Sequence, residues 1–145
     1  MNLTEKLQAA AAKICQRQNL HLVEVKVRGS VRQPLLEVFA DSEQGITLRQ
    51  CATLSRLIQD ELDMDETFTS NYRLNVSSPG LDRPLTEDWE FKKNLGKKVV
   101  VAFTENGEAR TTEGELKSFD AQELVVEQKH INRSDVTKVK VKIQW

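Results

Sequence analysis

The stretch Ser77-Ser-Pro-Gly-Leu-Asp-Arg-Pro84 limits what this chain can fold into more than any other feature. Its two prolines fix φ and withhold backbone donors, and a glycine stands between them. No long helix or strand can run through such a segment. It therefore reads as a junction, and the patterning on its two sides differs. Before it, apolar residues recur at both helical and alternating spacing; after it, alternation dominates. With 145 residues the chain has room for one domain or two small ones. An apolar content of 39% suits a folded chain rather than a disordered one.

Asn2 to Gln18 reads as a helix. Leu3, Leu7, Ala10, Ala11, Ile14 and Gln18 follow three-and-four spacing, and Asn2 with Glu5 can form a capping box. His21 to Arg28 alternates, with Val23, Val25 and Val27 on one face and Glu24, Lys26 and Arg28 on a wet face. Gly29 to Pro34 supplies a turn, and Leu35 to Ala40 forms a second strand with Leu36, Val38 and Ala40 inward. Thr47 and Gln50 open a second helix, striped by Leu48, Cys51, Ser55, Ile58 and Leu62 and widened by Leu54 and Leu57. That helix should end near Leu62. Tyr72, Leu74 and Val76 alternate in a third strand. The order helix-strand-strand-helix-strand predicts a small α/β layer with both helices on one sheet face.

Beyond the junction, Trp89 and Phe91 offer an aromatic anchor in a short helix or turn. Strands are expected over Lys97 to Phe103, Arg110 to Ser118, Glu123 to Gln128 and Val136 to Ile143, with an Asn106-Gly107 hairpin. Gly114 interrupts the second of these, as a sharp bend in a small barrel would require. The expected fold is α+β: an N-terminal α/β domain over residues 1–85, then an SH3-like or Sm-like β-barrel over 86–145. Closure would remove exposed edges.

The formal charge of −1 argues against a generic polycation but conceals a division. Residues 1–88 carry 10 basic and 13 acidic side chains, net −3; residues 89–145 carry 11 and 9, net +2. Lys92, Lys93, Lys97 and Lys98 form one cluster. Lys138, Lys140 and Lys142 share a strand face while Val139, Val141 and Ile143 point inward. This stripe is either an ordinary wet face or a contact for phosphates or an acidic partner.

Catalytic and metal chemistry find little support. Ser77, Ser78 and Cys51 are the candidate nucleophiles, yet His21 and His130 lie at a strand start and in a late turn. No nucleophile elbow, phosphate loop or zinc-protease motif occurs. Asp63, Asp65 and Glu66 read as a solvated loop, and Asp82 with Asp88 as an unremarkable carboxylate pair. No metal and no cofactor is expected. Cys15 and Cys51, each in a helical pattern, read as buried free thiols. No run of apolar residues is long enough for a membrane helix, and the first residues do not read as a signal peptide, so a cytoplasmic protein is expected. Phe68 and Tyr72 read as packing residues, and Trp145 as a lid or an interface anchor.

The junction allows two compatible readings. Ser77, Ser78 and Arg83, with loop N–H groups, could hold a phosphate. Alternatively Pro79, Gly80, Leu81, Asp82 and Pro84 make a rigid connector, with Arg83 paired to a carboxylate.

Tyr72-Arg-Leu-Asn-Val-Ser-Ser-Pro-Gly-Leu-Asp-Arg-Pro-Leu85 closely resembles the signature of the bacterial ribosome maturation factor RimP family. Val38 to Leu48, Cys51 to Ser55 and Leu62-Asp63 resemble its strand, acidic turn and second helix; Phe91 to Gly96 and Gly114 resemble its linker and second domain. The resemblance implies a non-enzymatic assembly factor that binds the immature small ribosomal subunit and promotes its maturation. It implies a C-terminal barrel contacting small-subunit protein S12 and an N-terminal domain near ribosomal RNA. A monomer is expected. The RNA- or ribosome-binding residues expected are Ser77, Ser78, Arg83, Lys97, Lys98, Lys138, Lys140 and Lys142. Asn75 departs from the family, which usually carries Glu there, so any pairing of that Glu with the arginine matching Arg83 is lost. The alternative is a protein-binding adaptor without direct RNA contact, which the acidic N-terminal half keeps open.

Overall fold

A computed structural model describes residues 2–30, 32–66, 68, 71–80 and 83–142. The chain forms two compact units, Met1–Pro79 and Gly80–Trp145. No helix among the described residues is long and apolar enough to cross a membrane.

In the first unit, α1 (Leu3–Arg17) starts at Asn2, whose side chain accepts the Glu5 N–H at 2.8 Å. Strands β1 (His21–Gly29) and β2 (Pro34–Asp41) pair antiparallel. Helix α2 (Leu48–Asp63) opens with the full Thr47/Gln50 capping box. Strand β3 (Arg73–Ser77) then returns parallel to β2, giving the sheet order β1-β2-β3. Leu7, Ala11 and Ile14 of α1, Leu54, Ile58 and Leu62 of α2, and Leu36, Val38 and Ala40 of β2 form one core. Phe68 and Tyr72 pack edge to face at its margin, 6.1 Å between ring centres.

Two details differ from the apolar pattern. The β1–β2 register shifts between Leu22 and Glu24, so Leu22, rather than Val23, joins Val25 and Val27 against the core. A bulge inserts one residue and reverses the alternation locally. In α2 the buried line is Leu54, Ile58 and Leu62, while Leu48 is 90% exposed and Cys51 half-buried. Leu48 and Cys51 stand in the first turn of α2, at the end of that line, where the helix begins.

Cys15 and Cys51 are free thiols. Burial pushes the Cys15 thiol up to about 11 from 9.0. The folded state thus keeps a proton that the unfolded chain releases above pH 9. The stability tied to this site is present below pH 9 and is lost as pH rises toward 11. Urea denaturation at successive pH values should show unfolding free energy falling by on the order of 1 kcal/mol from pH 9 to 10. Cys15→Ala should flatten that decline; an unchanged decline contradicts the assignment. Tyr72, also pushed up by burial and by its bond to Asp63, adds a similar loss only at higher pH.

The second unit opens with α3 (Asp88–Lys93), followed by β4 (Lys98–Glu105), β5 (Glu108–Phe119), β6 (Glu123–Val126), β7 (Lys129–Asn132), a 3-10 turn (Arg133–Asp135) and β8 (Val136–Val141). Asn106 and Gly107 both have positive φ, 53° and 79°, the geometry of a tight hairpin turn. The strand order is β7-β6-β5-β4-β8, with every neighbouring pair antiparallel.

This corrects the expected barrel. Closure needs the outer strands to pair, and among the described residues β7 and β8 remain the two edges of an open sheet. The inner face is instead covered locally: Phe91 of α3 is buried among Val99, Val101, Phe103, Leu116, Leu124, Val126, Ile131 and Val139, and its ring meets Phe119 at 5.7 Å. Gly114 also meets a steric demand that the strand pattern does not show. It pairs regularly with Val99, and a Cβ there would sit 2.4 Å from Glu127 Cγ. The glycine makes room for the Glu127 side chain, which accepts the Glu115 N–H at 2.9 Å.

Candidate functional site

Antiparallel pairing with β4 puts the lysines of β8 on the outer face of the C-terminal sheet. Lys138 lies opposite Ala102 and Lys140 opposite Val100, while Val139 faces inward opposite Val101. Just beyond β8, Lys142 donates its backbone N–H to Lys98 O at 2.9 Å. Lys98 is exposed and stands opposite Glu115 of β5. Lys98, Lys138, Lys140 and Lys142 are therefore brought together. Lys97 is exposed just before the strand begins.

The face is graded in charge. Lys142 pairs with Glu113, and Lys117 with Glu115 at 2.8 Å, so the β5 side is largely self-neutralised. The β8 edge keeps the positive excess. Lys138 is exposed and joins no ion pair among the described residues. β8 is also a sheet edge, crossed at one point where Leu85 N–H donates to Val139 O at 2.7 Å. Such an edge can accept an extended segment, and lysines limit indiscriminate pairing there.

In the junction, Ser77 ends β3 opposite Phe39; Ser77, Ser78 and Gly80 are exposed and Pro79 is half-buried. Gly80 has ordinary φ, and a Cβ there would meet nothing within 4 Å. Arg83 is half-buried and engaged within the chain, and Pro84 is exposed. Leu81 and Asp82 lie outside the described residues, as do Ile143 and Trp145. Ser77 and Ser78 belong to the first unit and Arg83 to the second.

The candidate catalytic and metal groups have other employment. Asp63 accepts the Tyr72 hydroxyl at 2.8 Å, and Asp65 pairs with Lys6 at 3.4 Å. Burial raises the Cys51 thiol above its ordinary value, which disfavours the thiolate. Among the described residues no three His, Cys, Asp or Glu side chains are grouped to hold a metal. Asp88 pairs with Arg133 at 2.9 Å.

Sequence reasoning missed a second surface. Both helices cover one face of the β1-β2-β3 sheet, so within the first unit no helix covers the other face. A cleft of about 460 Å³ opens there, lined by Gln33, Leu35, Asn71, Arg73 and Asn75. The wet face of β1 was readable from alternation. The parallel return of β3, which adds Arg73 and Asn75, is a long-range pairing without a local signal.

Residues 10–82 match the family model of the RimP N-terminal domain. The match begins inside α1, takes in β1, β2, α2 and β3, and ends within the Ser77–Pro84 segment.

Proposed function

This chain belongs to the RimP family, and from that membership we propose that it is a non-enzymatic assembly factor binding the immature small ribosomal subunit and promoting its maturation. The family match over residues 10–82 carries this reading. In this reading the protein works in the cytoplasm as a monomer.

In this account the two units, Met1–Pro79 and Gly80–Trp145, have separate tasks. The first lies against ribosomal RNA. The second contacts small-subunit protein S12, for which the open β8 edge offers a strand-pairing surface, while its outward lysines meet RNA phosphates. Ser77, Ser78, Arg83, Lys97, Lys98, Lys138, Lys140 and Lys142 are the proposed ribosome-binding residues, and Pro79, Gly80, Leu81, Asp82 and Pro84 the structural junction. Positive side chains neutralise phosphates and release counterions. Tighter binding to the immature particle than to the mature one would shift the particle population toward a productive arrangement. No bond is made or broken.

Crosslinking on the immature subunit tests the division of labour. RNA crosslinks from the junction or the β8 lysines are expected, together with protein crosslinks to S12. Protein crosslinks alone would favour an adaptor without RNA contact.

A further inference from the structure

We propose that the uncovered face of the N-terminal sheet binds single-stranded RNA, with a base seated in the cleft at Leu35 and the phosphate backbone held by Arg28, Arg32 and Arg73. This deepens the assembly-factor reading and rests on it.

Strand pairing arranges the face in three rows. Arg28, Leu35 and Arg73 form the first; Lys26, Glu37 and Asn75 the second; Glu24, Phe39 and Ser77 the third. Three arginines gather at the first-row end, because exposed Arg32 sits in the hairpin beside Gln33. Arg28 pairs with Glu37 at 2.8 Å, whereas Arg73 pairs with no carboxylate among the described residues.

The cleft has the chemistry of base recognition. Among the described residues its lining comprises three carboxamides, one apolar side chain and one guanidinium, and no carboxylate. Carboxamides offer a donor and an acceptor together, which suits the edge of a base, and Leu35 gives an apolar floor for its plane. The volume of about 460 Å³ falls in the range of small-ligand clefts, roughly 300–1,000 Å³. Farther along β2, half-buried Phe39 carries Lys26 Nζ at 5.7 Å from its ring centre, a platform for a neighbouring base. An acidic peptide would find cations here but no use for three carboxamides. A duplex would offer no unstacked base.

Asn75 is decisive. It lines the cleft and stands opposite Glu37, so a carboxylate in its place would bring a negative charge into the cleft itself. The neutral amide leaves Arg73 as the dominant local charge.

The test uses the full chain and a fluorescent mixed-sequence RNA decamer, single-stranded or annealed to its complement. The single strand should bind more tightly. Arg73→Glu and Asn75→Asp should each weaken it about tenfold, the lower part of the range for a lost polar base contact. Thermal midpoints should not move. Arg49→Glu, an equal charge change in the first turn of α2 where an acid is favoured, should leave binding unaltered. Equal binding by wild type, Arg73→Glu and Asn75→Asp would overturn the site, as would no preference for the single strand. If Arg73→Glu instead loses only the ribosomal particle while wild type ignores the decamer, a protein occupies this face and the RNA assignment fails. Failure of wild type to bind any subunit form would overturn the assembly-factor reading, independently of the decamer result.

Discussion

Gly114→Val is expected to destabilise the C-terminal unit by about 2–4 kcal/mol. The backbone at Gly114 is ordinary strand, so the cost is one of space. Even a single Cβ would lie 2.4 Å from Glu127 Cγ and 3.1 Å from its Oε1, and valine adds two methyl groups. Glu127 cannot simply swing aside without cost. Its carboxylate accepts the Glu115 N–H, and its own backbone has φ of 53°, a left-handed value that already limits the turn. Displacing it frees a backbone donor where the β4–β5 pairing ends and disturbs the β6–β7 connection. The partner can be identified by a double-mutant cycle. Glu127→Gly removes the obstructing side chain and accepts the positive φ. In that background Gly114→Val should lose most of its penalty in chemical denaturation. The same penalty in both backgrounds would show that the glycine serves some other purpose.

The second large effect is expected from reversing the charges of the β8 stripe. Lys138→Glu, Lys140→Glu and Lys142→Glu together should lower affinity for the immature small subunit by about 100-fold or more near 0.1 M salt. The slope of log K against log salt should fall by about two to three. The three sites should not contribute equally. Lys142 already answers Glu113, so its reversal removes less available charge while placing two carboxylates together. Lys138 is exposed and meets no ion pair among the described residues, so it should dominate the single substitutions. An unchanged salt slope in the triple variant would remove this stripe from the phosphate-binding surface.

Local chemistry was readable in this sequence where one residue fixes one neighbour. Asn2 and Thr47 announced their helices because capping operates over three residues. Leu36, Val38 and Ala40 announced a buried strand face because alternation repeats every two. The features that escaped depend on pairing between distant segments. The bulge at Val23 exists only relative to β2, and alternation alone carries it straight through. Barrel closure depends on whether β7 meets β8, which neither strand encodes by itself. The closeness of Gly114 to Glu127, thirteen residues on, likewise has no local signal.

The candidate sites divide in the same way. Period-two spacing put Lys138, Lys140 and Lys142 on one face, and the β4–β8 register added Lys98. Arg73 and Asn75 entered a cleft only because β3 returns parallel to β2 beside Leu35 and Gln33. The junction was visible from its prolines and glycine.

Equilibrium binding of the full chain to purified immature and mature small subunits tests most directly the proposal that this protein distinguishes an unfinished small subunit from a finished one. Clearly tighter binding to the immature particle, weakening with salt, is the expected result. Equal affinity for the two particles, or binding to neither, would contradict the account.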